Sequence, residues 1–207
     1  MISVIVPYDK DRGFLKECVE SIENQTYKNF EIILAQGDKP VAANFNDGLK
    51  KAKGEYCKFV TEDDWLPNNS LQDLADGISG YDWIFANAIQ YEGDSSYIYR
   101  TPNEALMFES NVIQNKIHGG TTLYTAETLR EIGGMNEELW TGEEYEMHLR
   151  LFSHGFLPGY IQKEVYCHRL WSGQKSKLLR KNRKDERQAE IKRIQSLYYD
   201  KIQQWNL

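Results

Sequence analysis

An apolar run from Ile2 to Val6 (ISVIV), closed by Pro7, and a second from Phe30 to Ala35 (FEIILA) bracket a segment in which Phe14, Leu15, Cys18, Val19 and Ile22 recur at helical spacing. A strand with no polar alternation belongs to a sheet covered on both faces, which is the habit of parallel sheets. Strand, amphipathic helix and strand in this length make a βαβ crossover. The opening therefore commits the chain to an α/β fold.

The turn Gln36-Gly37-Asp38-Lys39-Pro40 leads into a helix with Val41, Phe45, Leu49 and Ala52 on one face, ended by Gly54. A third run, Tyr56 to Val60, then stops at three successive acids, Glu62, Asp63 and Asp64. Concentrated carboxylates at the end of a buried strand need a cation, a cationic ligand or solvent. Two readings follow: a metal site, or an acidic turn capping the helix after Pro67-Asn68-Asn69-Ser70. As the third strand of a parallel sheet, the run places its acids at the carboxyl edge, where open α/β sheets bind ligands. That position favours a site.

Further on, Leu71, Leu74 and Ile78 predict a helix, and Trp83 to Ala86 a fourth strand. Ala88 to Tyr91 and Tyr97 to Arg100 flank Gly93-Asp94 as a hairpin. A helix is expected over Asn103 to Lys116, a strand over Thr121 to Tyr124, and a helix over Glu127 to Ile132 closed by Gly133-Gly134. Tyr145, Leu149 and Phe152 set a helix over Glu143 to His154, and Tyr160 to Tyr166 a last strand running into Cys167-His168-Arg169.

The net charge of −6 conceals two materials. Lys175 to Arg193 holds nine Lys or Arg against three Asp or Glu, which leaves 16 against 28, or −12, for the rest of the 25 and 31. An acidic body does not grip nucleic acid, because phosphates demand clustered cations. No apolar run is long enough to span a bilayer, and the first residues lack a signal-peptide pattern, so a cytoplasmic protein is expected. The three cysteines form no CxxC pair and are read as small buried residues. After residue 176 an apolar stripe of Ile191, Ile194, Tyr198, Ile202 and Trp205 needs a partner. The domain itself is the preferred one, ahead of homodimerisation or peripheral contact with the inner face of a membrane.

Four segments in order, SVIVP, SIENQTYKNFEIIL, KKAKGEYCKFVTEDDWLPNNSL and GGTTLYTAETLREIGGMNEELWTGEEYEMHLRL, resemble the family 2 glycosyltransferases. The resemblance implies a Rossmann-like GT-A domain, a three-layer α/β/α sandwich with a mostly parallel central sheet and a C-terminal helical extension. On this reading 1–173 is the transferase domain, with a nucleotide-binding part over 1–86 and an acceptor part over 87–173, and 174–207 is the basic helical extension. It implies inverting transfer of a sugar from a nucleotide-diphosphate donor to a glycan, lipid-linked or other hydroxyl acceptor, by a monomer or homodimer. The TEDD segment stands at the family's DXD motif, which makes Asp64 the principal ligand of Mn2+ or Mg2+, with Glu62 or Asp63 facing the ribose or a metal-bound water. Hard oxygen ligands suit these ions. Glu143-Glu144 stands where the family has Glu-Asp, which makes Glu144 the general base, or Glu143 in its place. His168 is implied as a further metal or diphosphate contact, while Arg169, Lys175 and Lys177 are read either as a flap over the diphosphate or as the start of a solvated basic helix. No comparable role is read for His118, His148 or His154.

Pro7, Tyr8 and Asp9 are implied at the nucleotide base, with Gln36 or Asp38 replacing the family's Asp-Asp-Gly-Ser turn. Asn46 is expected at the donor, preceded by Phe45 where many members have Arg. Trp140 is read either as a stacking platform for an acceptor sugar or as a loop residue packed on the core, and Gly119 and Gly120 as acceptor-side positions. The altered base turn and missing Arg keep open a second function, a degenerate GT-A domain that binds nucleotide, sugar or a partner protein without turnover. A sugar nucleotidyltransferase is disfavoured, because Tyr8 to Gly13 is too poor in glycine for a phosphate loop.

Overall fold

The computed structural model describes residues 1–205, with side chains through Ile202, so the side chain of Trp205 lies outside the described residues. The first strand, β1 (Ile2–Tyr8), is buried along its whole length. Its residues divide between two cores. Ile2, Val4 and Val6 join Cys18, Ile22, Leu71 and Leu74, while Ile5 joins Phe45, Phe59, Trp83 and Leu149. One strand with a core on each face defines three layers. Helices α1 (Leu15–Glu23) and α3 (Ser70–Gly77) cover one side, and α2 (Val41–Lys51), α5 (Ala126–Glu131) and α6 (Glu143–Ser153) the other.

The sheet has seven strands, in the order β2-β1-β3-β6-β4-β5 with β7 also paired to β4. Here β2 is Phe30–Gln36, β3 Tyr56–Phe59, β4 Trp83–Glu92, β5 Ser95–Tyr99, β6 Leu123–Thr125 and β7 Pro158–Arg169. Since β1 is parallel to β2 and β3, β6 antiparallel to β3 and β4, and β7 parallel to β4, five strands share a direction and β5 and β6 oppose it. The carboxyl ends of β1, β2, β3 and β7 accordingly open on one edge.

Four details depart from the sequence reading. FEIILA is an edge strand, with Leu34 45% exposed, because the sheet grows from β1 only through β3. An apolar run does not distinguish edge from centre. Residues 83–86 and 88–91 form one strand, β4, whose outer half turns at Gly93 (φ 58°) to pair with β5. The helix expected over 103–116 breaks at Met107, which is extended, into a 3-10 turn and the short α4 (Phe108–Ile113). Asn111 secures that break by donating to the carbonyls of Ala105 (2.7 Å) and Met107 (2.9 Å). The strand expected over 121–124 is preceded by a 3-10 turn at Gly119–Thr121 and starts only at Leu123.

The tail forms α7 (Lys175–Asn182) and α8 (Lys184–Trp205). Ile194 and Tyr198 of α8 are buried in the core, with Ile191 and Ile202 packed beside them, so the stripe docks on the domain as preferred from the sequence. Among the described residues no helix is long and apolar enough to cross a membrane.

Candidate functional site

The acid loop after β3 is stitched to the end of β7. Trp65 N donates to the Cys167 carbonyl at 3.2 Å, and Cys167 N to the Trp65 carbonyl at 2.9 Å. That ladder brings Asp64 under Tyr166 and Arg169. Asp64 is 4% exposed and accepts from the Thr61 hydroxyl (2.6 Å), the Tyr166 hydroxyl (2.7 Å) and the Arg169 backbone N–H (2.7 Å). Burial, then the neighbouring Asp63, pushes its carboxyl up to about 8 against the pull of those donors.

Its neighbours are engaged differently. Glu62 forms an ion pair with Arg12 at 2.5 Å, and the same guanidinium holds Asp9 at 2.8 Å. Burial and then Asp63 raise Glu62, and Arg12 opposes them. Asp63 accepts from the Trp171 indole N–H at 2.9 Å through Oδ2. Among the described residues its Oδ1 has no hydrogen-bond partner. Arg169 is wedged between the rings of Phe14 and Trp65, 4.6 Å from each centroid, and pairs with Glu17, so it fastens the loop from behind.

Tyr8, at the end of β1, is buried, while Gln36 and Asp38, past the edge strand, are exposed. The Tyr8 hydroxyl meets Gln36 at 3.4 Å. Asn44 of α2 ties these ends together by donating to the carbonyls of Tyr8 (3.2 Å) and Gly37 (2.8 Å). Asn46 is placed elsewhere: its amide donates to the Met135 carbonyl and to Glu137, and accepts from Met135 N, bracing the loop before α6. Pro7 pairs with Ala35 inside the sheet.

At the other acid pair, Gly142 (φ 78°) begins α6 in a left-handed conformation that only glycine adopts without strain. A side chain there would also meet Ile191 and Ile194 of α8. Glu143 pairs with Lys175 at 2.8 Å. Glu144 is half-buried, and among the described residues its carboxylate has no hydrogen-bond partner; it lies against Gly119, where a Cβ would land on its oxygens. Gly120 likewise leaves room for the Tyr166 ring. Burial, then Glu143, pushes Glu144 up to about 7, with Lys58 and Lys175 opposing. The indole of Trp140 is covered by the Arg183 guanidinium, 4.2 Å from the ring centroid.

His168 Nε2 sits 2.8 Å from Gln174 Nε2, and its Nδ1 is buried without a partner. Its ring meets His118 edge-on, centroids 4.8 Å apart, and the His118 Nδ1 is also unpartnered. Burial lowers both imidazoles, His118 to about 3. Sequence reasoning passed over four groups that the fold gathers here: Arg12, Tyr166, His118 and Lys58. Only Lys58 left a visible signal, a cation inside the apolar run YCKFV.

Among the described residues no group of three His, Cys, Asp or Glu is arranged to hold a metal ion. An all-protein cage is therefore not what this donor set builds. Adjacent carboxylates with one free oxygen do fit an ion that takes its remaining ligands from phosphate and water, the usual habit of Mg2+.

No family model matches the chain. An uncharacterized glycosyltransferase of Rickettsia conorii is 26% identical over 188 residues, 73% of this chain and 31% of that protein. The GalNAc(5)-diNAcBac-PP-undecaprenol beta-1,3-glucosyltransferase of Campylobacter jejuni is 25% identical over 201 residues, 81% of this chain and 62% of that one. The chain thus spans less than two-thirds of either relative. Residues 1–349 of Staphylococcus aureus TarS in complex with UDP-GlcNAc superpose with a TM-score of 0.68 at 18% identity, over 84% of this chain and 59% of that one. The mannosyltransferase PcManGT of Pyrobaculum calidifontis, with GDP-Man and Mn2+, gives 0.61 at 14% identity, over 81% and 56%. The architecture is the GT-A fold, and the curated relatives that the sequence resembles are named glycosyltransferases.

Proposed function

We propose that the chain transfers a sugar from a nucleotide-diphosphate donor to a hydroxyl acceptor by direct displacement with inversion, Glu144 serving as the general base. The observation that carries this reading is the Glu144 carboxylate, unbonded among the described residues and raised to about 7 by burial and Glu143. A base works best when its proton affinity lies near the working pH. Its ionised form is the active one, so turnover rises as pH increases through about 7 and is lost below it. On the donor side, the buried loop holds Asp64 rigidly, and Arg12 fixes Glu62 and Asp9 near Tyr8. Asp64 and Asp63 are the residues that would hold Mg2+ or Mn2+. When bound, such an ion offsets the charge of the departing diphosphate.

The acceptor class proposed is a glycan or a lipid-linked hydroxyl, supported by the lipid-linked substrate in the name of the Campylobacter relative. The nucleotide is left to experiment, since the two structural neighbours carry UDP and GDP sugars. A thermal-shift series of UDP, GDP and their sugars, with and without Mn2+, is expected to show one base-specific, metal-enhanced stabilisation. The Glu144→Gln protein is expected to keep that stabilisation and to lose about 10²–10⁴-fold in turnover. Undiminished turnover would remove Glu144 as the base.

A second reading is supported by the chain's own cations on the expected site: Arg12 on Glu62, Lys175 on Glu143 and Arg183 on Trp140. They fit a domain that binds nucleotide or a partner without turnover. Donor hydrolysis measured with Mn2+, with Mg2+ and with chelator separates the two, because a pure binder is silent in all three.

A further inference from the structure

Lys58 lies in the middle of β3, between Val4 of β1 and Leu123 of β6, and is 0% exposed. A lysine in the centre of a covered sheet is strongly disfavoured unless its charge is compensated. Its ammonium donates to the carbonyl of Phe59 (3.3 Å) and to that of Gly120, and lies 5.1 Å from the centroid of the Tyr166 ring.

Those partners connect the two halves of the site. Gly120 is packed beneath Tyr166, whose hydroxyl donates to Asp64 at 2.7 Å. The preceding residue, Gly119, is the surface on which the Glu144 carboxylate rests. One ammonium thus holds the turn that carries the acceptor-side acid on one residue and the support of the donor-side acid on the next.

We propose that Lys58 is a positioning residue for transfer: it anchors the Gly119–Gly120 turn and supplies the internal positive charge that faces the Glu144 carboxylate. The inference rests on reading Glu144 as the base. Glu144 is faced by Glu143 on its own helix, Lys58 on β3, Tyr124 on β6 and Lys175 on α7; Lys58 is in turn faced by Asp64 and His118. Of the two cations, Lys175 is half exposed and already paired with Glu143, so solvent screens it. Lys58 is buried and acts through a low dielectric. Burial pushes Lys58 down to about 7, while Glu144 and Asp64 hold it toward its charged form.

The test follows the Glu144 carboxylate by NMR in protein carrying 13C-labelled glutamate, with Glu144→Gln identifying its signal. No donor or acceptor is needed. Removing the cation disfavours the ionised carboxylate, so in Lys58→Met the Glu144 midpoint is expected to rise by about one pH unit or more. Lys58→Gln keeps a donor for the Gly120 carbonyl but not the charge; it is expected to shift the midpoint the same way and serves if the Met protein does not fold. A folded variant with an unmoved midpoint overturns the role of Lys58. Retained turnover in Glu144→Gln overturns the base assignment instead, whatever the midpoint does. If neither variant folds, Lys58 belongs to the construction of the sheet, and its positioning role is overturned.

Discussion

The acids of the loop after β3 and the acid at the start of α6 are held in opposite ways. Asp64 is tied by three hydrogen bonds, Glu62 by an arginine and Asp63 by an indole, all within a loop zipped to β7. Glu144 is held by shape, resting on a glycine at the start of a helix. A carboxylate whose oxygens are fixed by donors is a preorganised ligand with little freedom left for proton chemistry. Burial raises both acids, Asp64 to about 8 and Glu144 to about 7, so the difference lies in the donors: the Glu144 oxygens, without a hydrogen-bond partner among the described residues, are open to a proton. On the proposed reading the contrast separates binding from chemistry, about eighty residues apart in the chain.

Exchanging the two lesions gives the largest expected effect. In Asp64→Ala the Thr61 and Tyr166 hydroxyls and the Arg169 N–H lose their shared acceptor. On the proposed reading, the stabilisation produced by the donor with Mn2+ disappears in this variant, whereas Glu144→Gln retains it and loses turnover. The measurement is the same melting series on both proteins. If Asp64→Ala keeps the full donor-induced shift, the division between the two acid groups fails.

The two adjacent glycines offer an intermediate test. A methyl at Gly120 would meet the ring of Tyr166, itself fully buried, so Gly120→Ala is expected to destabilise the fold by about 1–3 kcal/mol, read by chemical denaturation. The nearest atoms that a methyl at Gly119 would meet are those at the end of the Glu144 side chain, which can swing away. Gly119→Ala is therefore expected to keep near-normal stability and lose about tenfold or more in kcat, because the displaced carboxylate no longer meets the acceptor in line. Equal losses of stability in the two variants would mean that Glu144 is part of the core rather than of the site.

The same contrast explains what could be read in advance. The βαβ opening, the acids at the end of the third strand and the helix over 143–153 were legible because each is local: periodicity, a charge cluster and a helix start lie within a few residues. What was not legible depends on pairing. Arg12 reaches across from the loop after β1 to Glu62, fifty residues away, and Tyr166 reaches Asp64 across more than a hundred. Asn46 was expected at the donor from its place in the second helix, but the rotation of α2 turns it to Met135 and Glu137. Lys58 lay in plain sight as a cation in an apolar strand, yet its meaning needs the Gly119–Gly120 turn beside it.

The smallest expected effect on turnover concerns how the tail supports α6 alone. Tyr198 of α8 donates to Glu146 at 2.6 Å, and Glu146 binds Arg150, which donates in turn to the carbonyls of Ile132 and Gly134. Ile191 and Ile194 fill the space over Gly142, directly before the acid pair. The C-terminal helix therefore grips the helix that presents Glu144, and none of these contacts reaches the loop around Asp64. Tyr198→Phe removes one hydrogen bond to a charged acceptor, a loss of about 1.5–3 kcal/mol in denaturation measurements. Its kcat is expected to fall by less than that of Gly119→Ala, with the donor KM unchanged, because only the aim of α6 is loosened. A donor KM that moves while kcat stays constant would show that the tail serves the donor loop, and that the two acid groups are supported by one framework rather than two.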